Sequence, residues 1–178
     1  MAFQNLCEGW GGPSAISPAQ LAALVVRSFP DGTVPGTGES IRATAYAVAS
    51  AESGRNPMAC GDRTIGYSIG LWQVYLVAHP SYVPESLYDP GYNAEAAYQI
   101  SGGGVNWNPW SVFTSGSYRS YLAEAATELA AATGGAAPPP PPGGTPALPD
   151  ISWGPALFAA AVIGGLVILG TAWAVSDS

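Results

Sequence analysis

Between Gly134 and Pro149 the chain reads GGAAPPPPPGGTPALP, a stretch with no apolar face of any period. Such a segment cannot join a core. Its proline run, Pro138 to Pro142, predicts a polyproline II rod of about 3.1 Å per residue between glycine swivels. Residues 1–133 must therefore build a core by themselves, residues 134–150 act as a spacer, and the C-terminal segment stands apart. That segment, Ile151 to Val175, contains no charged residue. As a helix it would be about 37 Å long, enough to cross a hydrocarbon layer with some tilt. Trp153 and Trp173 lie near its two ends, as interfacial aromatics do. Ala160/Gly164 and Ala161/Gly165 have the spacing that lets two such helices pack closely. The expectation is a single C-terminal transmembrane helix, 151–175, with a short tail, 176–178; the alternative is a buried hairpin helix. No Lys or Arg flanks the span, so charge does not orient it. The N-terminus, MAFQNLCEGWGGPS, has neither a basic region nor an apolar run and does not read as a secretory signal.

Charge narrows the partners. The 178 residues carry five Lys+Arg, all of them arginine, against 12 Asp+Glu, for a net charge of −7. Only 10% are charged, against about 25% in an average soluble domain. No basic patch of the kind that neutralises phosphates can be assembled, which excludes nucleic acid as a partner.

The first 133 residues read as mostly α. Ser17-Pro18-Ala19-Gln20 is a capping box with proline at the first helical position, opening SPAQLAALVVRSF. A second helix is expected from about Glu39 to Ser53, with Ile41, Ala45, Val48 and Ala49 on one buried face and Gly54 as its stop. A third starts at Asp89-Pro90 or Asn93 and runs to Gly102. A fourth starts at Ser117 and continues to Gly134. Turn-rich segments lie between them, and β structure is limited to a short hairpin around Thr64 to Ser68.

Several chemistries fail quickly. One histidine, His79, and two cysteines, Cys7 and Cys60, offer no metal-ligand spacing, so neither metal nor cofactor is expected. His79-Pro80 reads as a structural loop pair. No Gly-x-Ser-x-Gly elbow is present, and a chain without lysine has no phosphate loop of the Gly-Lys type. Carboxylates remain. Glu52 ends the most apolar helix, four positions after Val48 and on the same side as its core residues. Apolar surroundings and the negative end of the helix dipole both disfavour a charged carboxylate there. A neutral acid in a cleft is what protonation of a glycosidic oxygen requires. A capping or solubilising Glu is the plainer alternative.

Glu52-Ser53, Gly70-Leu71-Trp72-Gln73, Asn93-Ala94 and Arg119-Ser120-Tyr121-Leu122 occur in that order. Together they resemble the catalytic domain of the soluble-lytic-transglycosylase-like family of the lysozyme superfamily, in the versions that phages carry. The resemblance covers roughly Glu39 to Ala126. It implies an α+β lysozyme-like fold, with Glu52 as the single catalytic acid/base and Ser53 as its partner in positioning sugar or water. Gly70, Leu71, Trp72 and Gln73 match the tetrapeptide that lines the substrate groove, with Trp72 in place of the family's Met. Tyr121 matches the tyrosine that hydrogen-bonds the catalytic Glu. The family's Ala-Tyr-Asn-Ala-Gly is matched only by Gly91-Tyr92-Asn93-Ala94-Glu95, so Asn93 as a saccharide contact is the weakest carry-over.

The implied substrate is peptidoglycan, cut at the β-1,4 bond between N-acetylmuramic acid and N-acetylglucosamine, with closure of a 1,6-anhydro ring. A hydrolytic lysozyme is the alternative. For that reaction a second acid would help, and Asp62 is the candidate, although Gly61-Asp62 is also ordinary turn chemistry. A catalytically inactive, membrane-anchored glycan-binding or structural virion protein is a third reading. Trp107, Trp110 and Tyr118 either stack on sugar rings or complete the core. Cys7 and Cys60 form a disulfide or stay as two buried thiols. An anchored wall-cleaving domain without an export signal fits a phage particle, where the bilayer and other virion membrane or vertex proteins would be its neighbours; the bacterial cell envelope is the alternative.

Overall fold

A helix whose every side is apolar or small has to sit in the middle of a domain rather than on its surface. Thr44 to Ser50, TAYAVAS, is such a segment, and all seven residues are buried. In the computed structural model, which describes Cys7, residues 15–61 and residues 66–134, this segment is the middle of α2, Ile41–Ser53. The chain divides into two units, Met1–Gly144 and Thr145–Ser178, and every described residue belongs to the first. The proline-rich spacer from Gly135 onward and the apolar 151–175 segment lie outside the described residues. Among the described residues no helix is long and apolar enough to cross a membrane.

Helix α1, Pro18–Ser28, starts as the capping box predicts: the Ser17 hydroxyl accepts from the Gln20 N–H at 3.2 Å, and the Gln20 carboxamide accepts from the Ser17 N–H at 2.8 Å. Leu21, Ala22, Leu24 and Val25 form its buried stripe. Helix α2 is capped by Ser40 and ends on Gly54, whose φ of 59° places it in the left-handed region that glycine adopts without strain. The sheet has three two-residue strands, β1 (Cys60–Gly61), β2 (Ser68–Ile69) and β3 (Val74–Tyr75), antiparallel in the order β1-β2-β3. A 3-10 helix, Pro84–Tyr88, leads through the Asp89 cap into α3, Pro90–Ile100. A single turn, α4 (Ser111–Thr114), comes next; then a 3-10 helix, Ser117–Tyr121, and α5, Leu122–Gly134.

Three sequence expectations change. The fourth helix does not begin at Ser117: the first five residues wind as a 3-10 helix and the α-helix starts at Leu122. The hairpin expected around Thr64 to Ser68 corresponds to β1 paired with β2, Gly61 opposite Ser68, and a second pairing that was not expected, β2 with β3, adds to it. Residues 62–65, including Asp62, lie outside the described residues. Finally, Pro84–Tyr88 and Ser111–Thr114 are helical turns that periodicity could not reveal, being too short to show any.

Aromatic rings fill the space between α2 and the loops. The Phe29 ring lies 5.7 Å from Trp72, 5.7 Å from Trp107 and 5.9 Å from Tyr98, and Trp107 lies 5.0 Å from Trp110. The three buried indoles among the described residues find acceptors: Trp72 on the Ala45 carbonyl (3.0 Å), Trp107 on Gly104 (2.8 Å) and Trp110 on Trp72 (2.7 Å). Trp107 and Tyr118 are completely buried and Trp110 is 5% exposed, so these rings belong to the core. A smaller apolar cluster, built on Ile69, Val74, Leu76 and Leu87, packs under the sheet. Cys7 and Cys60 are disulfide-bonded across 53 positions with their Cα atoms 5.9 Å apart, tying the N-terminal segment to β1. Closing a loop of that length stabilises the fold by about 4 kcal/mol in the chain-entropy model.

Polar side chains hold α2 at both ends in the same way. At its start, Glu39 accepts from the Tyr118 hydroxyl and, at 3.2 Å, from Arg119 Nε. At its end, Glu124 of α5 accepts from the Tyr46 hydroxyl at 2.5 Å and from the Arg55 guanidinium at 2.7 Å. Burial and then the neighbouring carboxylate push the Tyr118 phenol up to about 12, and the same two causes raise Tyr46 further. An unfolded chain releases both protons near pH 10 while the folded chain retains them. Stability supplied by these clamps is therefore complete below pH 10 and is lost as the pH rises through 10 toward about 12. Urea denaturation at stepped pH should show that decline in the wild type and a flatter profile in the Tyr46→Phe, Tyr118→Phe double variant; parallel profiles would show that the clamps do not control it.

Candidate active site

The tetrapeptide Gly70-Leu71-Trp72-Gln73 is the whole connection between β2 and β3, because Ile69 pairs directly with Val74. Two of its four residues have positive φ, Gly70 at 82° and Gln73 at 46°. Gly70 has a second reason to be glycine: a Cβ there would lie 2.3 Å from both the Asn93 amide nitrogen and the Leu87 carbonyl oxygen. Gln73 pays about 1 kcal/mol or more for a left-handed backbone that a non-glycine residue rarely adopts. The strain is held by its own side chain, whose amide donates to the Gly70 carbonyl at 2.8 Å and to the Ala59 carbonyl at 3.1 Å. The carboxamide oxygen lies so close to Gly61 that a Cβ on Gly61 would stand 2.8 Å from it. Gln73 thereby locks the turn to β1.

Asn93 completes the lock from α3. Its side-chain oxygen accepts from the Trp72 N–H at 2.8 Å, and its amide donates to the carbonyls of Ile69 (2.9 Å) and Leu87 (3.0 Å). It is completely buried, as are Leu71 and Trp72. The expectation that these three line the substrate groove is therefore corrected: they shape the turn from behind and are inaccessible to a ligand. From its buried position one Asn93 carboxamide serves three backbone groups of the turn and of the 3-10 helix.

The turn opens one wall of a cleft of about 130 Å³. Glu52 enters it from the last turn of α2, Gln73, Val74 and Tyr75 from the turn and β3, His79 from the following loop, Ile100 from the end of α3, and Pro109, Trp110 and Ser111 from the segment leading into α4. Glu52 and Gln73, from two separate sequence motifs, are thus brought together, and Glu52 is the one carboxylate lining the cleft among the described residues. Its location follows from α2: the helix is buried up to Ser50, and at half-buried Glu52 it emerges just before Gly54 turns the chain away.

Other expected site residues sit elsewhere. The Ser53 hydroxyl donates to the Ala49 carbonyl of its own helix at 3.0 Å. Tyr121 packs half-buried against the main core. The Tyr46 and Tyr118 hydroxyls donate to the carboxylates of Glu124 and Glu39. Conversely, the cleft includes Tyr75, His79 and Ser111, which sequence reasoning did not assign to a site, and Trp110, which it left between sugar stacking and core. The sequence marks His79-Pro80 as a structural loop pair lying between the Gly70–Gln73 and Asn93 motifs, and distinguishes Trp110 only by its Gly- and Asn-rich surroundings. No group of three or more His, Cys, Asp or Glu able to hold a metal occurs among the described residues.

Residues 33–112 match a family described as a lysozyme-like domain. The match covers just under half of the chain, from the bridge that precedes α2 into α4, and contains Glu52 and every other cleft-lining residue. No curated protein and no solved structure matches the chain. Residues 33–112 are thus similar to a lysozyme-like domain, and the cleft lies within the matched stretch.

The Asn93 lock can be measured directly. Asn93→Ala removes the hydrogen bonds to the Trp72 N–H and to the Ile69 and Leu87 carbonyls, which should cost on the order of 3 kcal/mol in a denaturant titration. A loss below 1 kcal/mol would show that the turn holds its shape without the carboxamide.

Proposed function

We propose that the chain is a peptidoglycan-cleaving glycosidase of the lytic transglycosylase type, with Glu52 as its single acid/base. The observation that carries this reading is Glu52, the one carboxylate that lines the cleft among the described residues, presented by the buried helix α2 on a cleft that the Gln73 turn also lines. Most glycosidases place two carboxyl groups across the scissile bond, one as acid and one as base or nucleophile. A reaction served by one carboxyl group must use it twice. Protonated Glu52 gives its proton to the glycosidic oxygen as the bond to the anomeric carbon breaks. The carboxylate so formed takes the proton of the same sugar's 6-hydroxyl as that oxygen attacks the anomeric carbon. A 1,6-anhydro ring closes, Glu52 returns to its starting state, and no water is consumed. Gln73, fixed on a strained backbone by two hydrogen bonds, offers a rigid wall against which the sugar is held.

In this reading the proline-rich spacer and the apolar segment 151–175 tether the domain to a bilayer in a phage particle, where it opens the wall locally during genome delivery. Mass spectrometry of purified virions should find the chain in the particle; its absence would end the virion assignment while leaving the chemistry untouched.

The chemistry is tested by incubating the full-length chain, in mild detergent, with purified peptidoglycan beside its Glu52→Gln variant. The wild type should release muropeptides with anhydromuramyl ends, and the variant should lose activity by a factor of about a hundred to ten thousand. Reducing muramyl ends would convert the reading to a hydrolytic lysozyme and direct attention to Asp62. Equal release by wild type and variant would remove Glu52 from the reaction.

A further inference from the structure

His79 occupies the wall of the cleft that holds Glu52, although its sequence context marks it only as a loop residue beside Pro80. Its backbone is fixed on both sides: the His79 N–H donates to the Tyr75 carbonyl at 3.1 Å, and the His79 carbonyl accepts from the Tyr82 N–H at 3.3 Å. Its ring packs at 62° against Tyr82, with centroids 6.3 Å apart. Tyr82 in turn stands perpendicular to Tyr92 at 6.2 Å and is packed on the apolar cluster beneath the sheet. A half-buried imidazole is thus held in place by rings on one side, with the cleft beside it. Among the described residues nothing hydrogen-bonds its ring nitrogens.

We propose that His79 is a substrate-contacting residue, presenting a neutral imidazole as a paired hydrogen-bond donor and acceptor to an N-acetylhexosamine unit bound beside Glu52. The proposal rests on the reading of this cleft as a glycan site and adds to it a recognition group. A neutral imidazole carries one N–H and one bare nitrogen. A sugar hydroxyl or an acetamido group offers the complementary acceptor and donor, which a carboxylate or a cation would offer only in half. Burial lowers the His79 pKa below its ordinary value, so the ring keeps both functions at neutral pH. The titratable groups facing it are Glu52 from α2 and Tyr75 from β3 across the cleft, and Tyr82 from its own loop; Tyr82 further faces Tyr92 and Glu95 of α3. As the pH falls through the lowered pKa the ring gains a second proton and loses its acceptor. Binding that uses both functions is therefore complete above that pKa and weakens below it.

The test is a calorimetric titration of chitotriose, the trimer of N-acetylglucosamine, into the full-length chain and into His79→Phe and His79→Gln, from pH 7.5 down to pH 5. Loss of one or two hydrogen bonds corresponds to about tenfold in affinity, and that is the expected weakening for His79→Phe at pH 7.5. Wild-type affinity should fall as the pH is lowered toward 5, at most to the level of His79→Phe, about tenfold below its value at pH 7.5, whereas His79→Gln, which keeps an uncharged donor and acceptor, should stay level. Three results would overturn the proposal: no binding of chitotriose by the wild type, wild-type affinity in His79→Phe, or the same pH dependence in His79→Gln as in the wild type. His79-dependent binding by a chain that releases no muropeptides would leave the contact standing and remove the catalytic reading. Muropeptide release with binding indifferent to His79 would do the reverse.

Discussion

The burial of α2 on all sides organises this domain. A helix in that position has few ways to be held, because small side chains such as those of Ala45, Ala47 and Ala49 let neighbours come close but contribute little grip. The grip comes from polar contacts at its two ends and along its first turn. Glu39 meets Tyr118 and Arg119, Glu124 meets Tyr46 and Arg55, and Arg42 reaches Asp31 and the carbonyls of Val26 and Phe29 near the end of α1. Three of the chain's five arginines are therefore engaged in fixing one helix. In each case a charged group bonds a neutral hydroxyl or carbonyl as well as its counter-ion, which matters more than the ion pair alone because exposed pairs contribute little. A carboxylate at the far end of so constrained a helix has its position set by the core and needs no loop to aim it.

The opposite wall is built by a different device. Four residues between two-residue strands have too few hydrogen bonds of their own to hold one shape. The strain at Gln73 and the exclusion of a Cβ at Gly70 show how tight that turn is. Asn93 supplies the missing bonds from α3, and Gln73 supplies the link to β1. The sequence motifs around Gly70 and Asn93 are thus two halves of one construction. Their residue types are demanded by backbone geometry, and only Gln73 among them also faces the cleft.

That distinction explains what was legible in the sequence. The capping box of α1, the glycine stop of α2 and the Asp89-Pro90 start of α3 are local, since each depends on a few residues in a row. Glu52 was legible because the periodicity of a long helix places it on the buried side. The role of Asn93 was not, because a carboxamide that satisfies three backbone groups from two other elements leaves no trace in the spacing of the chain. Tyr121 lies at the junction of a 3-10 helix with α5, where it packs against the core, a change of winding that periodicity alone does not reveal. His79 escaped for a simpler reason. A single imidazole has no pattern, and only the fold shows that its loop returns to the cleft.

Charge sets a condition on how such a cleft can work. With a net charge of −7 the chain gains no long-range attraction toward an anionic polymer. Besides Glu52, the polar groups that line the cleft are neutral ones, the Gln73 carboxamide, the Ser111 hydroxyl, the His79 imidazole and the Tyr75 phenol, a lining that on the proposed reading suits uncharged sugar rather than acidic peptide. Neutral contacts over a small open cleft imply modest affinity for any one stretch of glycan. On the proposed reading the spacer and anchor offset that weakness, since a tether replaces affinity with effective concentration and confines cleavage to wall within its reach. Weak binding by the site and permanent attachment to the membrane are then two parts of one design, in which the tether decides where the wall is cut and the cleft decides which bond.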